Sequence, residues 1–306
     1  FTKPAVRNYS PAAFAWIAQE YAPDVMYVSH YRYANHSFWT NLFGCACLDC
    51  QHEAAELGYD SPRMKEALTR LPGRISRLGA GTFRRWLTIR PTMTDFFMML
   101  GGDMSGMIEW FAFRAAVVSR SMKRLHDAVH PETNDHCAFV SDTHSATLAM
   151  LVGHNWEDFI DGANDAITPL SWLAIHYVAT VASWAKQLCT LVDGLDETTS
   201  IRFVLRLFAW DDVGLPTGRI DDLRIAADGG SRPYMFGRPD TRRGWEVFYE
   251  MMNPVVTRKI MTHEYTRLAA LSHRSIPAYP VVQGREWPRE LCGELIGEIG
   301  TLGFPG

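Results

Sequence analysis

Three thiols fall within six positions of the stretch GCACLDCQHEAAELGYD, residues 44–60: Cys45, Cys47 and Cys50, with His52 just after. C-x-C-x-x-C can place three sulfurs on one tight turn, which fills three corners of the tetrahedron that zinc prefers. A fourth ligand has to come from elsewhere, and His36 and His52 are the nearest imidazoles. A reduced thiol loop without metal, or disulfide or redox chemistry, would also use this pattern. A closed zinc site of this kind is structural rather than catalytic.

The other chemistry-bearing residues collect after short apolar runs. VMYV is followed by Ser29, His30, Tyr31 and Arg32, and CAFVS by Asp142, Thr143 and His144. DAITPL leads to Ser171 and Trp172, and PVVQG to Arg285 and Glu286. Asp142 is a candidate acid, or the cap of the following turn. Glu286 is a second candidate acid, with Gln283 and Trp287 beside it suited to hydrogen bonding and stacking on a sugar. Arg32 could grip a hydroxyl pair or a carboxylate in bidentate fashion, or form an ion pair that positions its strand. His154, Asn155 and Trp156 lie in a later loop and are candidates to line a cleft. Asp211 and Asp212 read as a solvated helix end, and His144 and His176 as surface or satisfied core histidines. The methionines at 98, 99, 104 and 107 read as packing.

These residues need a scaffold, and the pattern predicts apolar strands alternating with helices. Helices are expected over 12–24, over 60–73 with Ser61 as cap, and in a long run after Gly101-Gly102-Asp103. Further helices are expected over 178–192 and 200–212, and over 241–252 and 254–272, split at Pro254. Strands are expected over 25–34, 135–144, 165–173 and 276–284, a short helix over 292–300 and a last strand at the C-terminus. Strands buried on both faces and alternating with helices imply a parallel sheet covered by helices, whose C-terminal ends carry the site.

Several stretches together resemble the glycoside-hydrolase-like TIM-barrel proteins, including uncharacterised glycosidase-like members. These stretches are KPAVRNY (3–9), VMYVSHYRYA, CACLDCQHEAAELGYDSPRMKEAL, EWFAFRAAVVSRSMKRLHDAV (109–129), FVSDTHSATLAMLVGHNWEDFID and DAITPLSW. The cysteine element is also similar to the zinc loop of family 42 β-galactosidases, where a fourth cysteine completes the site. The resemblance implies an α/β chain: a (β/α)8 TIM barrel, incomplete at its N-terminus and cut at the C-terminal strand. It would be a single domain over 1–306, with a Cys-rich loop and helical insertion at about 44–130. The first strand here would be about the fourth of eight, and both ends, Phe1 and GTLGFPG, read as cut.

The same resemblance implies a glycoside hydrolase acting on a carbohydrate, with Asp142 and Glu286 as the paired acids such chemistry needs. His30, Arg32, His154, Trp156, Trp172 and Gln283 would contact substrate, and Cys45, Cys47 and Cys50 would hold structural zinc, with no organic cofactor. Ser29 stands where the family carries an Asp. That departure favours an alternative, a catalytically inactive barrel that binds carbohydrate or a protein partner. A third reading is a metal-dependent hydrolase with histidines at the mouth.

Composition narrows the remaining classes. The net charge is −4 and no long Lys or Arg run occurs, which argues against nucleic acid or an anionic membrane as the main partner. No apolar run approaches the roughly 18 residues of a membrane span, so a soluble protein, cytoplasmic or secreted, is expected. Oligomeric state is open. Neither G-x-G-x-x-G nor G-x-x-x-x-G-K follows any strand, and G-x-S-x-G and H-E-x-x-H are absent.

Overall fold

Helices dominate the architecture. The computed structural model describes residues 2–33, 44, 46–100, 104–134, 136–156, 159, 163–169, 173–231, 239–271 and 277–279, with a few positions between 293 and 301. In chain order the elements are α1 (Pro4–Tyr21), β1 (Val25–Val28), α2 (Leu48–Glu56), α3 (Ser61–Ser76), α4 (Ala80–Ile89), α5 (Met93–Met99) and α6 (Met104–Thr133). Then come β2 (Ala138–Thr143), a 3-10 turn (Ala149–Val152), β3 (Ala166–Pro169), a π-helical turn (Leu173–Val178) and α7 (Ala179–Leu191). The chain continues through α8 (Glu197–Leu207), α9 (Ile220–Ser231), α10 (Pro239–Met251) and α11 (Pro254–Leu271).

This corrects the expected (β/α)8 TIM barrel. Among the described residues the sheet has three parallel strands, in the order β1-β2-β3, and it does not close. Val28 is paired with Ser141, and Ser141 with Ile167. The expected strand over 276–284 is represented by a single parallel bridge from Ala278 to Ile167. Among the described residues, five helices separate β1 from β2, and five more follow β3. The physical reason is strand length: the runs at 25–34 and 165–173 keep only four paired residues each, too few to build a barrel wall.

Nor is the sheet buried on both faces. Met26, Val28, Phe139 and Ile167 sit in the core, whereas Val25 and Tyr27, on the alternate face of β1, are half exposed. The strand period of two makes that split.

Local chemistry sets several helix starts. Asp60, not Ser61, caps α3 by accepting from the Arg63 amide at 3.0 Å, and the helix runs through Pro72 to Ser76. Of the expected helix over 200–212 only the part up to Leu207 is helical, and Asp196 starts it, accepting from the Thr199 amide at 2.8 Å. Asn253 caps α11 through the amides of Val255 and Val256. α6 buries Met107, Ala115, Val118, Met122 and Leu125, while Ile108 faces solvent. Of the methionine group, Met107 is buried and Met98 exposed. Phe83, Trp86, Phe96 and Phe203 join α4, α5 and α8 in one aromatic cluster of edge-to-face, tilted and stacked pairs.

One buried carboxylate ties three helices. Glu53 of α2 is 2 % exposed and meets Arg7 of α1 at 2.5 Å, Arg120 of α6 at 3.1 Å and Arg124 of α6 at 4.0 Å. A carboxylate so enclosed is tolerated only with such partners.

Candidate functional site

The C-terminal edge of the sheet gathers four of the expected site residues, Asp142, His30, Arg32 and His154, and Trp156 is half-buried two residues beyond His154. Asp142 is on the half-open face at the end of β2, yet its side chain is fully enclosed. Ser29 Oγ donates to Oδ2 at 2.6 Å. The His30 amide N–H reaches both oxygens, at 2.9 and 2.8 Å. His30 Nδ1 lies 3.3 Å from Oδ2 and 2.5 Å from Ser29 Oγ. To present its amide this way His30 adopts φ +60°, a left-handed conformation that costs a non-glycine residue energy and is held by its surroundings. The order of contacts is not a catalytic triad, because serine and carboxylate meet the same side of the imidazole.

The β1 and β2 loops are zipped together around this cluster. The Tyr33 amide donates to Val152 O at 3.0 Å. His154 Nδ1 accepts from the His144 amide at 3.0 Å, so the proton sits on Nε2, which faces Tyr31 O at 3.3 Å. Burial, reinforced by the nearby Arg32 charge and only partly offset by the Tyr31 carbonyl, lowers the His154 pKa to about 3. Gly153 makes this placement possible. Its φ is +86°, and a Cβ there would meet Arg114 O and Val118 Cγ2 of α6 at 3.0 Å. His144 and His176 are both fully buried and stack at 3.9 Å between ring centroids, so they are core rather than surface histidines.

Arg32 is the least satisfied charge here. No carboxylate lies within ion-pair distance of it among the described residues, and its Nε is shielded from solvent with no hydrogen-bond partner. Burial lowers its pKa, against the pull of the Asp142 charge. Trp156 Nε1 and Thr143 Oγ1 are also shielded and unpartnered. On the half-open face, Tyr27 Oη and Thr168 Oγ1 share a 2.8 Å hydrogen bond across β2. The Tyr27 pKa is raised by burial, with Thr168 lowering it and the Asp142 charge raising it further. Glu286, Gln283 and Trp172 lie outside the described residues.

The cysteine element is helical where a tight turn was expected. Cys47 caps α2 and Cys50 lies in its first turn, with Sγ atoms 3.5 Å apart. That separation suits two corners of a thiolate zinc site, whose sulfurs sit roughly 3.8 Å apart at Zn–S bonds of about 2.3 Å. Cys45 lies outside the described residues. His52 is exposed on α2, about 200° around the helix from Cys50, so it does not face the thiols.

Sequence reasoning passed over a different group. His126, His130 and Asp165 offer ligand atoms all within 4.8 Å of one another and could hold a metal ion. The available signal was H-x-x-x-H in LHDAVH, which puts both imidazoles on one helix face. Asp165, 35 residues further on, carries no local signal. Asp211 and Asp212 are surface acids as expected, paired with Arg206 at 2.6 Å and His263 at 3.1 Å.

A cleft of about 480 Å³ is lined by Met93, Phe97, Met104, Met107, Phe111 and Met150 among others. No described helix is long and apolar enough to cross a membrane. Compared with known proteins, the chain matches no family model, no curated protein and no solved structure.

Proposed function

We propose that the C-terminal edge of the sheet binds a carbohydrate, and that binding rather than hydrolysis is the activity of this site. The observation that carries the reading is Arg32, a largely buried guanidinium with no carboxylate partner among the described residues. Such a group is costly unless a ligand completes it. A vicinal diol or a sugar carboxylate matches its fork of donors. The exposed ring of Tyr27, with Thr168 beside it, offers a stacking surface and hydroxyls on the same face.

Hydrolysis is less well supported. A general acid or nucleophile needs an oxygen free to face the substrate. Both oxygens of Asp142 already accept from Ser29 and the His30 amide. Ser29, standing where the resemblance implies an acid, donates to Asp142 instead. We also propose that zinc on Cys47 and Cys50 staples α2, a structural role beside the binding edge.

The test is calorimetric titration with neutral and uronic-acid oligosaccharides, run beside an aryl-glycoside assay. Binding that is lost in Arg32→Ala, without turnover, is expected. Turnover abolished by Asp142→Asn would overturn the binding-only reading, and no binding by either sugar class would remove the carbohydrate assignment.

A further inference from the structure

At the opposite, N-terminal edge of the sheet, we propose that His126, His130 and Asp165 form a site for a divalent transition metal of the zinc class. The two histidines are one helical turn apart near the end of α6, and their rings stack at 3.9 Å. Asp165 stands immediately before β3. His130 Nε2 is 3.2 Å from Asp165 Oδ2, and His126 Nε2 is 3.9 Å from Oδ1. Ligand atoms around tetrahedral zinc sit roughly 3.3 Å apart, at bonds of about 2.0–2.1 Å. Small side-chain rotations therefore close the group on a metal.

The surroundings orient the ligands. Asp127 Oδ1 lies 3.3 Å from His126 Nδ1 and is itself held by Lys123 Nζ at 2.9 Å. A carboxylate on Nδ1 leaves the Nε2 lone pair for the metal and strengthens it as a donor. Asp165 Oδ2 accepts from the Phe139 amide at 2.7 Å, which fixes the carboxylate and leaves Oδ1 turned toward His126. The imidazoles are partly exposed, 23 % and 17 %, and Asp165 39 %, so an ion has a route in. Two imidazoles and one carboxylate favour zinc, nickel, cobalt or copper over magnesium or calcium. Such an ion would pin the end of α6 to the start of β3, and a position not filled by these three residues would take water.

The experiment is titration of the metal-stripped full chain with Zn²⁺ alone, read by calorimetry, with bound metal counted after dialysis. The cysteine loop is an independent site, so the readout is the change in stoichiometry. His126→Ala with His130→Ala should lose one equivalent of zinc relative to the unaltered chain, with far-ultraviolet circular dichroism confirming the fold. Asp165→Asn, which keeps an acceptor for the Phe139 amide, and Asp127→Asn should each weaken that equivalent by roughly tenfold or more. Cobalt in the same site should give visible bands without thiolate charge transfer. The proposal is overturned if the chain takes up no zinc, or if stoichiometry and affinity are the same in the histidine and Asp165 variants.

Discussion

The two edges of the sheet use the same residue types for opposite ends. At the C-terminal edge, Asp142 and His30 meet in an enclosed cluster where main chain and Ser29 occupy the carboxylate. At the N-terminal edge, Asp165 is accessible: Oδ2 accepts from Phe139 and also faces His130, and Oδ1 faces His126. What distinguishes them is where the lone pairs go. A carboxylate whose acceptor sites are filled by its own backbone holds the fold, and one that faces other ligand atoms is ready for a cation.

The contrast between the edges can be broken at several points. The largest effect is expected from acid at His154. Its folded pKa of about 3 lies below the unfolded value near 6.5, so the unfolded chain binds the extra proton first. Its contribution is complete above about pH 6.5 and is lost as pH falls toward 3, on the order of 5 kcal/mol in all. Urea unfolding at stepped pH should show this slope in the unaltered chain and a shallower one in His154→Gln.

Asp142→Asn keeps the volume but turns an amide donor toward the His30 N–H or Ser29. It should cost about 3 kcal/mol by urea denaturation. The equivalent Asp165→Asn should cost under about 1 kcal/mol in metal-free protein, and an equal loss at both edges would erase the difference between them. Gly153→Ala should cost roughly 2 kcal/mol, because a left-handed backbone and α6 both oppose the methyl group. The smallest change is expected from Arg32→Met. Removing a charge without a carboxylate partner should leave stability within about 0.5 kcal/mol or raise it, while sugar binding disappears. A large loss of stability would show that Arg32 serves the fold.

Legibility in the sequence followed the range of the interactions. α6, α8 and α11 could be read because apolar residues recur at the helical period, whereas the caps Asp196 and Asn253 emerged only from the structure. His30, Arg32 and Asp142 could be read as a group because polar residues after an apolar run mark strand ends in any parallel sheet. The barrel could not be read correctly. Four-residue apolar runs such as Val25–Val28 look the same in a short open sheet as in a closed one, and the number of strands depends on what lies beside them. The partner of Asp142 was equally hidden, since Ser29 is 113 residues away. Asp165 reached the histidines only through the fold.

The Glu53 hub bears on the order of assembly. Its link to Arg7 spans 46 residues and its link to Arg120 spans 67, so α1 leaves the ribosome long before its counter-surface on α6 exists. Closing such long loops precedes any gain from the contacts they bring. The first helix therefore waits, undocked, until residue 120 and its neighbours have been synthesised, and β1 waits longer still for β2. Slow refolding limited by α1 docking, sensitive to Glu53→Gln in the folding arm of the chevron, would be the kinetic signature of that delay.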